Sequence, residues 1–256
     1  MRFSILWLAI TGAVVGAGLG PAALAQTGLL NDTGVSWSAS GAANAAPGLC
    51  SNTHPERQDC RQGRDAATDL QKIGNGAKGF DFIKIAHSGI ELPPDATLGD
   101  DASDWACTRD NVTGLVWEVK TASGLRGRSH TYSWFDSASP AGNPGTPSAG
   151  NCQTAGRCDT EKYVQDVNAA PGLCGATDWR LPTAMELESL LDLDGQEPQI
   201  DTDFFPHTDA APFWSGSASA EVASHAWTMR FNLSTSYIVP DERSSPYRVR
   251  LVRSAP

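Results

Sequence analysis

The chain has 256 residues, of which 19 are basic and 29 acidic, for a formal net charge of −10. That balance excludes nucleic acid and polyanions held by general electrostatics, because long-range repulsion opposes their approach. With 25 Gly and 16 Pro, the composition points to short strands joined by many turns.

Residues 1–25 read as a secretory signal peptide. Arg2 supplies the basic start, Ile5 to Val15 the apolar run, and Ala23-Leu24-Ala25 a small-x-small cleavage site before Gln26. The alternative is a membrane anchor, since the uncharged stretch is long enough to span a bilayer. Gly16, Gly18, Gly20 and Pro21 interrupt the helix that such a span would need. No later segment is apolar enough to span, so the mature chain is expected to be exported to the periplasm, the cell surface or the medium. Loss of Arg2 makes the mature chain one unit more acidic.

Residues 26–103 form a loop-rich extension with one strand, Gly79 to Ile85, closed by a turn at His87-Ser88-Gly89 and by Pro93-Pro94. Gly74-Asn75-Gly76-Ala77-Lys78-Gly79 matches the dinucleotide GxGxxG pattern. That chemistry needs a preceding strand and a following helix whose N-terminus meets the pyrophosphate. Here a strand follows, so a glycine turn is expected. The heptapeptide Asn-Ala-Ala-Pro-Gly-Leu-Cys occurs at Asn44 to Cys50 and again at Asn168 to Cys174. Its flanks do not match, which points to a recurring cysteine-presenting turn and not to a repeat architecture.

The main domain spans 104–256. Trp105 to Thr108 and Leu115 to Val119 are strands around a turn at Asp110 to Gly114. Residues 121–158 form a long polar insert. Asp159 or Thr160 caps a helix over Glu161 to Ala169, with Tyr163, Val164 and Val167 on one face. Thr183 followed by Glu186 is a capping box that opens a helix over 183–193, with Leu187, Leu190 and Leu191 facing a core. Arg180, just before it, calls for a carboxylate partner that spacing does not identify. Strands follow near Phe213 to Ser215, Ala226 to Phe231, Ser236 to Val239 and Tyr247 to Arg253. Strands at both ends with two helices between them give an α+β domain whose terminal strands pair in one sheet.

The six cysteines all follow the signal, and an even count in an exported chain implies three disulfides. Proximity favours Cys50–Cys60 and Cys152–Cys158, which leaves Cys107–Cys174. Paired CxxC spacings and nearby histidine ligands, which a zinc site would need, are missing.

Two clusters are candidate binding residues. Asp192, Asp194, Glu197 and Asp201 gather carboxylates in one loop, as a calcium site requires. The EF-hand alignment fails because its first position falls on Leu190, and a solvated acidic loop is the competing expectation. Tyr132, Trp134 and Phe135 lie in the insert, where aromatic faces serve as sugar or protein platforms. Alternatively, they pack over the domain's own edge. The histidines His54, His87, His130, His207 and His225 show no metal spacing, and no GxSxG elbow occurs. Of Arg243, Arg248, Arg250 and Arg253, strand alternation sends Arg248 and Arg250 to one face and Arg253 to the other.

The ordered set Arg109-Asp110-Asn111-Val112-Thr113-Gly114-Leu115-Val116-Trp117-Glu118-Val119-Lys120, Asp178-Trp179-Arg180-Leu181-Pro182-Thr183, Ile200 to Pro206, Phe213-Trp214-Ser215 and Val249 to Arg253 resembles the Lcl C-terminal domain family, found in exported bacterial proteins and named for a legionella collagen-like adhesin. The resemblance implies a fold related to C-type lectin-like domains and to formylglycine-generating enzymes: a mixed sheet with two helices, stapled by disulfides. That enzyme family depends on a late cysteine pair, and no cysteine follows Cys174. The naming adhesin is similar to glycosaminoglycan binders, whose basic surface this acidic chain does not share. The resemblance implies a non-catalytic recognition or adhesion module for a glycan or surface protein. The alternatives are a divergent enzyme of the formylglycine-generating superfamily and a structural subunit of a surface assembly.

Overall fold

The structure, a computed structural model, describes residues 31–39, 49–50, 58–67, 69–139, 142–194, 197–232 and 237–256. The expected signal segment 1–25 and most of the first heptapeptide copy lie outside the described residues. In chain order the elements are helix α1 (Asp59–Gln62), strands β1 (Phe82–Ala86), β2 (Glu91–Leu92), β3 (Trp105–Asp110) and β4 (Leu115–Glu118), helices α2 (Thr160–Asn168) and α3 (Ala184–Glu188), and strands β5 (Pro212–Ala218), β6 (His225–Arg230), β7 (Ile238–Glu242) and β8 (Val252–Ser254). Among the described residues no helix is long and apolar enough to cross a membrane.

The strands form a five-stranded sheet in the order β2-β1-β3-β4-β8 and a three-stranded sheet β5-β6-β7. Among the described residues every strand pairing is antiparallel, so the expected mixed sheet is replaced by two antiparallel ones, with parallel pairing confined to isolated bridges. The class is α+β, and the terminal strand closes beside β4, with Trp117 opposite Val252. The β3–β4 turn follows from its sequence. Asp110 Oδ1 accepts the Val112 amide at 2.9 Å, and Gly114 takes φ +70°, which favours glycine.

The boundary expected at 104 does not divide the structure. β1 and β2 precede it, yet β1 pairs with β3 along its whole length. Phe80 and Phe82 are buried, and without this segment that side of the domain would expose apolar surface. Strand alternation explains the two cores. Val116 points to one, with Tyr163, Trp179 and Trp214. Leu115 and Trp117 point to the other, with Leu187, Leu190 and Phe205.

Helix α2 is capped by Asp159, whose carboxylate accepts the Lys162 amide, and it buries Tyr163 and Val167. α3 opens with the capping box but ends at Glu188, short of the expected 193. Beyond it the chain tightens, with Leu190 N bonding Leu187 O and Leu191 N bonding Glu188 O, which keeps both leucines buried while the backbone turns away. The last strand is also shorter than expected. Tyr247 and Arg248 leave the main sheet to bridge Tyr132 and Phe213, and so join the insert and the small sheet to it.

Three disulfides are present: Cys50–Cys60, Cys107–Cys174 and Cys152–Cys158. The long-range one joins β3 to the turn after α2 within the first core.

Candidate functional site

Tyr132 and Trp134 do not form an exposed platform. Each is 2 % exposed. Trp134 Nε1 donates to Ser215 O and Trp214 Nε1 donates to Tyr132 O, so the insert is locked to the small sheet through indole hydrogen bonds. The Arg243 guanidinium lies 4.1 Å from the centre of the Trp134 ring. The residues are polar-flanked in sequence but core in space, because the insert threads between β5 and the terminal segment. Phe135 is half-buried, with the Lys162 ammonium 5.6 Å from its ring centre.

The acidic loop is likewise internally satisfied. Lys78 Nζ lies 2.5 Å from Asp192 Oδ1 and 3.0 Å from Asp194 Oδ2, so one ammonium of the chain pairs with both carboxylates. The Ser36 hydroxyl also donates to Asp194 at 3.1 Å, and Leu193 N bonds Thr33 O, which ties this loop to the N-terminal segment. Glu197 is exposed, and Asp201 turns to other partners. The four expected calcium ligands are therefore not gathered around one point. The carboxylates that do converge among the described residues are those of Asp32, Asp59 and Asp65, with oxygens within 4.8 Å of one another. Their wide sequence separation hides them from any motif. Burial first, then mutual repulsion, raises Asp59 and Asp65 above the ordinary carboxylate value.

The four late arginines form no basic surface. Arg243 and Arg250 are buried. Arg250 donates to Glu118 O and to the Thr208 hydroxyl, and burial pushes it down to about 10. Arg248 pairs with Asp209 and Arg253 with Asp178. Behind Arg250 lies a buried polar cluster in which Glu118 accepts from Lys120 Nζ and from the Tyr163 hydroxyl. Burial brings Lys120 down to about 8, although Glu118 opposes the shift.

A surface cleft of about 510 Å³ lies where the glycine turn meets the Asp201–Phe204 segment. The turn is shaped by its glycines. A Cβ at Gly74 would collide with the Phe82 carbonyl, and Gly76 has φ +125°. Asp81 accepts the Ile73 and Gly74 amides at 2.9 and 2.7 Å. These contacts fold the GxGxxG stretch back onto β1 instead of onto a helix. Ala77 N then donates to Asp201 Oδ2 at 2.9 Å, and Asp203 N donates to Asp201 Oδ1 at 3.1 Å. Burial raises Asp201 above the ordinary carboxylate value, those two amides oppose the shift, and the charges of Asp203 and Asp192 add to it.

Lys84 forms the inner part of the cleft. It is 8 % exposed, its Nζ donates to Ala96 O at 3.0 Å, and it sits 4.0 Å from the Trp105 ring centre. Burial lowers it below an ordinary lysine, against the nearby charges of Asp203, Asp95 and Asp201. Asn75 and Asp203 are exposed at the rim, and Phe204 supplies an apolar wall. Donor, acceptor and apolar surface thus lie side by side, an arrangement that suits a neutral polyhydroxylated group. Only Asp201 of this set stood out in sequence. Asn75 sat in the glycine motif, and Lys84 was hidden on an apolar strand.

The model of the Lcl C-terminal domain family matches residues 106–253. No curated protein and no solved structure matches the chain. The match covers more than half of the chain and includes the β3–β4 hairpin, the capped helix α3 and the closing strand that shape both cores. The chain belongs to the Lcl C-terminal domain family.

Proposed function

We propose that this chain is an exported, non-catalytic recognition module of lectin-like fold that binds a neutral glycan through the cleft between Asn75, Lys84 and Asp203. The observation that carries the proposal is the cleft itself, where a buried ammonium, two carboxylates and a side-chain amide line one concave surface beside Phe204. Hydroxyl groups are both donors and acceptors, so they pair with all three kinds of group. Three disulfides and the absence of free cysteines among the described residues are in keeping with an oxidising compartment. The net charge of −10 disfavours sulfated polyanions.

The test is a glycan-binding screen of the mature, oxidised chain, with heparin as the polyanionic contrast and with chelator or millimolar calcium in parallel. Binding of neutral glycans that drops at least tenfold in both Asn75→Ala and Asp203→Asn is expected. Calcium should make no difference, since Lys78 already neutralises Asp192 and Asp194. Tight, salt-sensitive heparin binding, or neutral-glycan binding unaffected by either substitution, would overturn the proposal.

A further inference from the structure

A second cleft, of about 240 Å³, shares no lining residue with the first. It opens between the turn after β1, the start of the insert and the end of α2. At its base is Arg126, only 6 % exposed. Its Nη1 donates to Ala106 O at 3.1 Å and to Val119 O at 2.7 Å, both neutral acceptors. The nearest carboxylate is that of Asp100, 3.7 Å from Nη2, on a side chain that is 90 % exposed and therefore screened by water. Asp166, which also lines the cleft, is already neutralised by Arg157 at 2.6 Å. A buried guanidinium is ordinarily matched by a fixed carboxylate, because desolvation penalises an unmatched charge. Here the one ion pair that Arg126 makes among the described residues is to the exposed Asp100.

The side chain next to it adds an independent observation. His87 Nε2 lies 3.1 Å from Gly99 O and also 3.1 Å from Arg126 Nη2. One ring nitrogen either donates to the carbonyl or accepts from the guanidinium, and it cannot do both. When it donates to Gly99, an Arg126 N–H is left for another acceptor. Leu125, Val167 and Leu173 supply apolar walls around this donor.

We propose that this cleft binds a carboxylate on a short aliphatic body, with Arg126 as the anion-holding residue. The freed Arg126 N–H gives one carboxylate oxygen a charge-assisted hydrogen bond, and the aliphatic walls take the rest. Such a group comes either from a free short-chain acid or from the C-terminal residue of a peptide.

Calorimetry on the mature oxidised chain tests this with four probes: isovalerate, its primary amide, acetyl-Gly-Leu with a free carboxylate, and the same dipeptide amidated. Both acids are expected to bind at least tenfold more tightly than their amides. A peptide acid tighter than isovalerate assigns the site to a chain terminus; equal affinity assigns it to the free acid, and either result supports the carboxylate site. Ala169→Trp should weaken acid binding at least tenfold at unchanged melting temperature, because Ala169 is exposed at the cleft and not in the core. Arg126→Gln should abolish the preference for acid over amide, but it also perturbs two backbone carbonyls, so the tryptophan variant is the decisive one. Equal affinity for acid and amide, no heat up to tens of millimolar, or undiminished binding in Ala169→Trp would each overturn the proposal.

Discussion

Arg180 and Glu186 form a two-point ion pair, with Nη2 2.6 Å from Oε1 and Nη1 2.8 Å from Oε2, while the same Oε2 accepts the Thr183 amide at 2.7 Å. The carboxylate of the capping box is thus also the partner that Arg180 required. Burial pushes the Glu186 carboxyl up, but the guanidinium and the Thr183 amide outweigh it and hold the group below the ordinary carboxylate value.

Glu186→Ala should therefore cost more than loss of the cap alone. Thr183→Ala is expected to cost about 1 kcal/mol, and Glu186→Ala about 2 kcal/mol, since bonds to a charged group go as well. Because the folded carboxyl is depressed, its stabilisation is present above the unfolded value and is lost as pH falls through the folded one. Urea melts across the acid range should show a shallower loss of stability in Glu186→Gln than in wild type.

Removing Cys107–Cys174 should cost the most of the three crosslinks. Its sequence separation is 67, against 6 for Cys152–Cys158. Loop closure gives about 4 kcal/mol for the former and about 2 kcal/mol for the latter. Denaturant unfolding of Cys107→Ser/Cys174→Ser and Cys152→Ser/Cys158→Ser measures both, and equal losses would contradict the ranking.

Asp110 is expected to titrate far above a free aspartate. Burial pushes it from 3.8 to about 6, while the Thr113 hydroxyl and the Val112 and Thr113 amides oppose the shift and Asp81 adds to it. A raised folded value contributes stability that is full below the unfolded value and is lost as pH rises through about 6. Carboxyl carbon NMR should show a midpoint near 6, and Asp110→Asn should flatten that part of the stability profile.

Trp134→Ala should cost about 3–5 kcal/mol as a large buried side chain is lost, with the Arg243 stack going too. Deletion of the whole 121–158 insert is expected to abolish the cooperative thermal transition. The insert is part of the fold, because Tyr132 and Trp134 within it are core residues.

Local signals were legible wherever one short stretch contained both partners. The Thr183–Glu186 box, the Asp159 cap and the Asp110–Gly114 turn are all bonds across two to four residues. The two short disulfides close over separations of 10 and 6 residues. The insert was illegible because polar neighbours surround Tyr132 and Trp134, and their acceptors Arg243, Tyr247 and Ser215 lie far along the chain. The partner of the acidic loop was hidden for a related reason. Its neutralising group, Lys78, lies more than a hundred residues earlier.

By itself, then, the amino-acid sequence determined the family, the α+β class, the helix caps and the pairing of the cysteines, because short-range hydrogen bonds, periodicity and cysteine count depend on neighbours in the chain. Only the tertiary structure decided that the aromatics of the insert are core and that Arg180 answers Glu186. It alone decided that Lys78 occupies the acidic loop, and that Lys84 and Arg126 each stand in a cleft. Burial and charge matching depend on which distant segments meet in space, and that is set by packing.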